Sequence, residues 1–329
     1  MLCNSPSLHP PSPISITMKH LLSIILFALT ALAMASCDES TGKPASSNRP
    51  YQVMLVGDRD GILYHELTAP VKGLPQPEPH FDVTSADDIM GTNAPWQKLT
   101  RSIVAVVIDK RAKDTHMALH RDVYAKPQLI LTITAPSVAS LRRYVADRKG
   151  AICRILDAFE LGCQERTLKA HHNEDFDKKI HLMFGIDMLI PVEMQSSKQG
   201  KDFLWLSNNQ NEGLQNICVY RVKDDGRFFL QVRDSVMKAN IPGEKIGMYM
   251  ETTAVSKDST YKAATFYRGL WDMKGDAMGG PFVATELRQA SYIIYIEGFV
   301  YAPEGKKRNK VRELEAVLHT AKATGQNKR

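Results

Sequence analysis

The sequence predicts an α+β fold, in which antiparallel or mixed sheets pack against helices. Three observations carry the prediction. Short runs of β-branched and apolar residues recur along the chain, as in Ile103-Val-Ala-Val-Val-Ile108, and such residues favour strands. Other stretches place apolar residues at helical spacing: Val138, Leu141, Val145, Ile152, Ile155 and Phe159 form one stripe. Composition is the third: 329 residues, 43% hydrophobic and 8% aromatic, suffice for one large core or two ordinary ones. With 20 Gly and 17 Pro, collagen-like, low-complexity and wholly disordered chains are excluded. The net charge of +6 is spread along the chain, so nothing points to nucleic acid as a partner.

The elements follow in order. Residues 51–56 form an apolar strand closed by Gly57-Asp58, and a short helix is expected over 59–69. In Gly73-Leu-Pro-Gln-Pro-Glu-Pro79 each Pro removes a backbone donor and fixes φ, so the segment is extended and irregular. Phe81-Asp-Val leads into a turn or helix. Residues 103–108 and 129–134 are buried strands, and Ser137 caps the helix that follows the second. Strands are expected at 203–206 and 217–220, a helix over 228–239, and strands at 249–255 and 265–273. The Gly and Pro of residues 276–281 predict a loop. A long strand over 292–301 precedes a helix with Val311, Leu314, Leu318 and Ala321 on one face.

Two passages share a pattern. Ile103, Arg121-Asp122, a strand ending in Ala135-Pro136 and an amphipathic helix have counterparts in Ile217, Arg233-Asp234, a strand ending in Ala302-Pro303 and a second such helix. The pattern fits two related halves, 51–165 and 166–329, with an insertion around 244–290 in the second. It also fits a coincidence of short patterns.

The N-terminus sets the compartment. Residues 21–35 are an uncharged apolar run, shorter than the roughly 20 residues of a spanning helix. With Lys19 ahead of it, the run fits a secretory signal over 18–36. Residues 1–17, rich in Pro and Ser, make a poor signal start, and translation is expected to begin at Met18. The run ends in Met34-Ala-Ser-Cys37, which resembles the lipobox of bacterial lipoproteins. Small side chains let the backbone enter a peptidase extended, and the Cys37 thiol is the nucleophile that accepts a diacylglyceryl group. Residues 37–50 then read as a polar, flexible tether. Asp38-Glu39 partly resembles an acidic surface-export signal, so an outer-membrane protein facing either the periplasm or the surface is expected.

Export agrees with the cysteines. Besides Cys3 and Cys37 the chain has Cys153, Cys163 and Cys218. Cys153 and Cys163 stand about 15 Å apart along a predicted helix, too far for a disulfide. All three read as small buried apolar residues. No zinc-binding spacing is present, and no metal or cofactor is expected.

Several segments in order carry a family resemblance. They are Arg49-Pro-Tyr-Gln-Val, Gly73-Leu-Pro-Gln-Pro-Glu-Pro, Phe203-Leu-Trp-Leu-Ser-Asn, Arg233-Asp-Ser-Val-Met-Lys-Ala-Asn-Ile-Pro-Gly, Arg268-Gly-Leu-Trp-Asp-Met, Met278-Gly-Gly-Pro-Phe-Val and Glu297-Gly-Phe-Val-Tyr-Ala-Pro-Glu. Between about residues 50 and 320 the chain resembles the Bacteroidetes lipoprotein family called domain of unknown function 4837. The resemblance implies a bacterial lipoprotein and no particular activity.

The densest segment chemically holds Arg268, Trp271, Asp272, Asp276, Gly279, Gly280 and Pro281. One reading is a ligand or partner surface, with Trp271 and Arg268 stacking on a sugar or protein loop. The other is a hairpin whose Trp fills the core. Arg233-Asp234 reads as surface charge, His171-His172 as a solvated helix start, and Lys306–Lys310 as a solvated basic cluster or a lipid contact. The leading expectation is a binding or structural module, held on a bilayer through Cys37 and facing an envelope protein or glycan. The alternative is a glycan hydrolase drawing on Asp234, Asp272, Asp276 and Glu297, which requires its carboxylates about 5–9.5 Å apart in one cleft.

Overall fold

A computed structural model describes residues 42–87, 95–210, 213–261 and 264–324. The signal segment, Cys37 and the start of the tether lie outside them. The chain divides into Met1–Lys43 and Pro44–Arg329, and the second unit holds every element below.

The first half is a five-stranded sheet in the order β2-β1-β3-β5-β4. Its strands are β1 (Gln52–Val56), β2 (Asp82–Ala86), β3 (Ser102–Ile108), β4 (His116–Arg121) and β5 (Leu129–Ala135). All neighbours run parallel except β4, which is antiparallel to β5. Three helices, α1 (Ile62–Leu67), α2 (Val138–Asp147) and α3 (Ala151–Ala170), share a core with it. Alternation sorts the strand side chains: Val53 and Leu55 meet the helices, while Met54 and Val56 join Ile103 and Ile130 in a separate cluster.

The second half is a seven-stranded antiparallel sheet in the order β10-β11-β12-β13-β9-β8-β7. The strands are β7 (Ser196–Gly200), β8 (Phe203–Ser207), β9 (Leu214–Lys223), β10 (Tyr249–Tyr261), β11 (Ala264–Lys274), β12 (Gly279–Arg288) and β13 (Tyr292–Tyr301). Its side chains enter two cores. One contains α5 (Phe229–Asn240), and the other contains α4 (Glu174–Phe184), α6 (Arg308–Thr320) and the end of α3. A small ladder of β6 (Ile186–Asp187) and β14 (Lys322–Ala323) completes the fold.

The structure is thus α+β, with one mixed and one antiparallel sheet. The halves do not repeat one topology, because Arg121 ends an edge strand whereas Arg233 lies inside a helix. Local differences from the expected elements have physical causes. The residues after Phe81 form β2, a short polar edge strand, rather than a turn or helix. The loop expected over 276–281 ends at Gly279, where β12 begins. The apolar stripe over 138–159 is split at Gly150, whose φ of 72° is left-handed and suits glycine. Residues 44–50, expected in the tether, dock on the first sheet: Ser47 N donates to Leu99 O at 2.7 Å and Arg101 N to Ser47 O at 3.1 Å.

Cys153, Cys163 and Cys218 are buried free thiols. Burial, reinforced by the negative charge of Glu66 and Asp157, pushes the Cys153 thiol up to about 12. It is therefore a packed, unreactive group.

Candidate functional site

The segment from Arg268 to Pro281 does not form one surface. Trp271 is 1% exposed and packs edge-on against Phe299 at 5.5 Å. Gly280 and Pro281 are buried beside it in β12. A Cβ on Gly280 would stand 2.0 Å from Val300 O, so only glycine lets β13 come this close. A Cβ on Gly279 would meet the Asp272 carboxylate at 2.3 Å. Asp272 and Asp276 are exposed at the end of the β11–β12 hairpin. Arg268 takes the other side of β11 and pairs with Glu315 of α6. The hairpin reading therefore fits Trp271 and its glycines, and Arg268 belongs to a different site.

Of the four carboxylates weighed for hydrolysis, Asp234 and Glu297 both meet Arg233, while Asp272 and Asp276 lie on the β11–β12 hairpin. Glu297 is sealed in the core against Arg233, with both side chains 0% exposed. Arg233 Nε donates to both Glu297 oxygens at 3.1 and 3.0 Å, and Nη2 to Oε1 at 2.7 Å. Its Nη1 donates to Thr252 Oγ1 at 2.7 Å, and the guanidinium lies 4.0 Å from the Phe282 ring centroid. Asp234 accepts from Thr252 N at 3.0 Å. Arg233 is therefore the centre of a buried network and not the surface charge expected. Burial pushes the Glu297 carboxyl up, against the pull of Arg233. Asp272 and Asp276 sit away from this network on their hairpin.

His171-His172 precede the N-cap of α4. His172 Nδ1 lies 2.6 Å from Asp177 Oδ2, a local pair rather than a solvated start. Among the described residues no group of His, Cys, Asp or Glu could hold a metal ion.

The most site-like feature is a cleft of about 520 Å³ where the two halves meet. Its walls are the Pro70–Leu74 segment, α3, β11, β12 and α6. Helix α6 is the joint that shapes it. Glu78 caps the helix, accepting from Lys307 N at 2.7 Å and Arg308 N at 3.1 Å. Arg308 reaches Asp82 at 2.7 Å and also donates to Pro79 O. Arg312 lies over Tyr51, 4.1 Å from its ring centroid, donates to His80 O at 3.0 Å and pairs with Asp157 at 3.2 Å. Asp157 also meets His80 Nε2 at 2.7 Å. These contacts hold Tyr51 at a left-handed φ of 62°, uncommon for a bulky residue. Lys307 and Arg308 are 4% and 2% exposed, so this part of the basic cluster is neither solvated nor free for lipid.

The joint carries a pH dependence. Burial disfavours the Asp82 charge, yet Arg308 and Lys306 outweigh it and hold the carboxyl below its usual range. The unfolded chain therefore takes up this proton at a higher pH than the folded chain does. Asp82 stabilises the fold above the ordinary carboxylate range, and this contribution disappears as pH falls through the depressed value. Asp82→Asn is expected to flatten the acid limb of stability, read as denaturant midpoints from neutral pH to about pH 2. An unchanged acid limb would count against the role of this pair.

Comparisons with known proteins match the two halves separately. Residues 173–320 match the domain of unknown function DUF4837, and residues 46–169 match another domain of unknown function, DUF8532. The family resemblance seen across residues 50–320 is thus matched over the second half, while the first half matches a separate model. The boundary between the matches falls at the turn from α3 to α4. No curated protein matches. One similar solved structure is a 1.50 Å crystal structure from Bacteroides thetaiotaomicron VPI-5482, 15% identical over 44% of this chain and with a TM-score of 0.21. The match spans 47% of that chain, less than half its length.

Proposed function

We propose that the protein is a lipoprotein of the bacterial envelope, like the Bacteroidetes family it resembles, with a folded body that serves as a binding module. The observation that carries the reading is the apolar run 21–35 ending in Ala35-Ser36-Cys37. Acylation of Cys37 would anchor the body stably, because two or three acyl chains hold where one is marginal. No helix among the described residues is long and apolar enough to cross a membrane. The binding role is supported by the cleft, whose volume is that of a small-molecule site.

Cys37→Ser in the native host tests the anchor. The variant is expected to leave the envelope fraction and to lose the mass of its acyl groups. A variant that still sediments with envelope, unaltered in mass, refutes the proposal.

A further inference from the structure

We infer that the cleft between the halves binds a small amphipathic anion, a molecule with one oxyanion head on an apolar body. This names the ligand class of the binding module and rests on that reading. Size, charge and lining all point the same way.

The cleft, at about 520 Å³, lies within the range of small-molecule sites. Five cationic side chains line it, Lys72, Arg154, Arg268, Arg308 and Arg312, against two carboxylates, Asp157 and Glu315. Three of the cations are matched within the fold: Arg268 by Glu315, Arg312 by Asp157 and Arg308 by Asp82. Those pairs also consume both carboxylates, which leaves no acid to receive a cationic ligand.

Lys72 and Arg154 remain. Both are exposed, and neither has an ion pair among the described residues. Arg154 Nη1 donates to Lys149 O at 3.3 Å, and its charge also acts on the Glu66 carboxylate of α1. Both line the cleft, Lys72 from the proline-rich segment and Arg154 from α3, so two elements offer an oxyanion charge-assisted donors. The accessible apolar lining comes from Pro70, Val71, Leu74 and Ala158. A ligand that is only an anion would leave this lining wet, and one that is only apolar would leave two cations unused. An amphipathic anion satisfies both.

Calorimetric titration of the full chain carrying Cys37→Ser, which cannot place its own acyl chains in the cleft, tests the inference. The probes are octanoate, octyl phosphate, octanol and octyltrimethylammonium. At least one of the two anions is expected to bind, and which one binds identifies the head group. Octanol and octyltrimethylammonium are expected to bind about tenfold more weakly or not at all. Lys72→Ala and Arg154→Ala should each weaken the anion about tenfold, the scale of one charged hydrogen bond. Ala158→Trp, at an exposed helical position in the cleft, should block binding while the thermal midpoint stays unchanged. The inference is overturned if neither anion binds, if octanol binds as well as octanoate, or if both Ala substitutions leave anion affinity unchanged. Failure here leaves the envelope partition of the Cys37 chain as it was, and failure of the anchor leaves this titration as it was.

Discussion

Glu297→Ala is expected to destabilise the protein by about 3–5 kcal/mol, the scale of breaking a buried ion pair. The cause is the partner left behind. Arg233 is 0% exposed, and three of its hydrogen bonds end on the Glu297 carboxylate. Without that carboxylate a guanidinium remains inside the core, with Thr252, the Phe282 ring and the half-exposed Asp234 at 3.7 Å as partial compensation. Arg233→Met should be similarly costly, since it strands Glu297. The double variant Arg233→Met/Glu297→Leu is expected to recover most of the loss, because an intact buried pair contributes little net stability over well-packed apolar groups. Guanidinium unfolding of the four proteins gives the coupling directly. A cost below about 1 kcal/mol for Glu297→Ala would mean that water reaches the pair and that the core is less closed than the geometry implies.

Trp271→Ala is expected to cost about 3–5 kcal/mol, as large-to-small changes of buried aromatics do. The ring packs against Phe299 and Tyr301, and its size is matched by the bare backbone of Gly280 across the β11–β12 ladder. Trp271→Phe should cost only about 1–2 kcal/mol. It keeps an aromatic ring in the same slot and removes an indole N–H that has no hydrogen-bond acceptor among the described residues. The pair of variants separates a packing role from a recognition role. Near-native stability in Trp271→Ala would restore Trp271 as a surface anchor and remove it from the core.

What was legible in the sequence follows from range. Strands with β-branched runs, such as Ile103–Ile108 and residues 292–301, carry their own signal, as does the Ser137 cap. Edge strands do not. Ser196-Ser-Lys-Gln-Gly200 is polar because an exposed edge must resist further pairing. Its pattern therefore says loop, although it pairs with β8 along its whole length. Charged residues were misread for a related reason. Arg233 and Glu297 are 64 residues apart, and Lys307 and Glu78 are 229 apart. Arg233 is buried with its acid, and Lys307 gives its backbone N–H to Glu78, so no local window contains either pair. The proline-rich segment held the one usable hint. Its alternate residues Gln76 and Glu78 both grip Lys307, an arrangement that an extended, twofold backbone produces. The cleft was invisible, since Lys72, Arg154, Arg268 and Arg312 come from four separate elements.

Helix α6 ties together parts of the chain that are far apart in sequence. Synthesis runs from the N-terminus, and the contacts of Arg308 with Asp82 and of Asn309 with Pro50 span 226 and 259 residues. Without α6, Glu78 and Asp82 of the first half lose the Lys307, Arg308 and Lys306 groups that meet them. The same helix packs in the core of the second sheet, so α6 acts as the keystone of both halves. A frameshift or stop codon just before residue 308 would therefore remove the joint between two domains and not a dispensable tail.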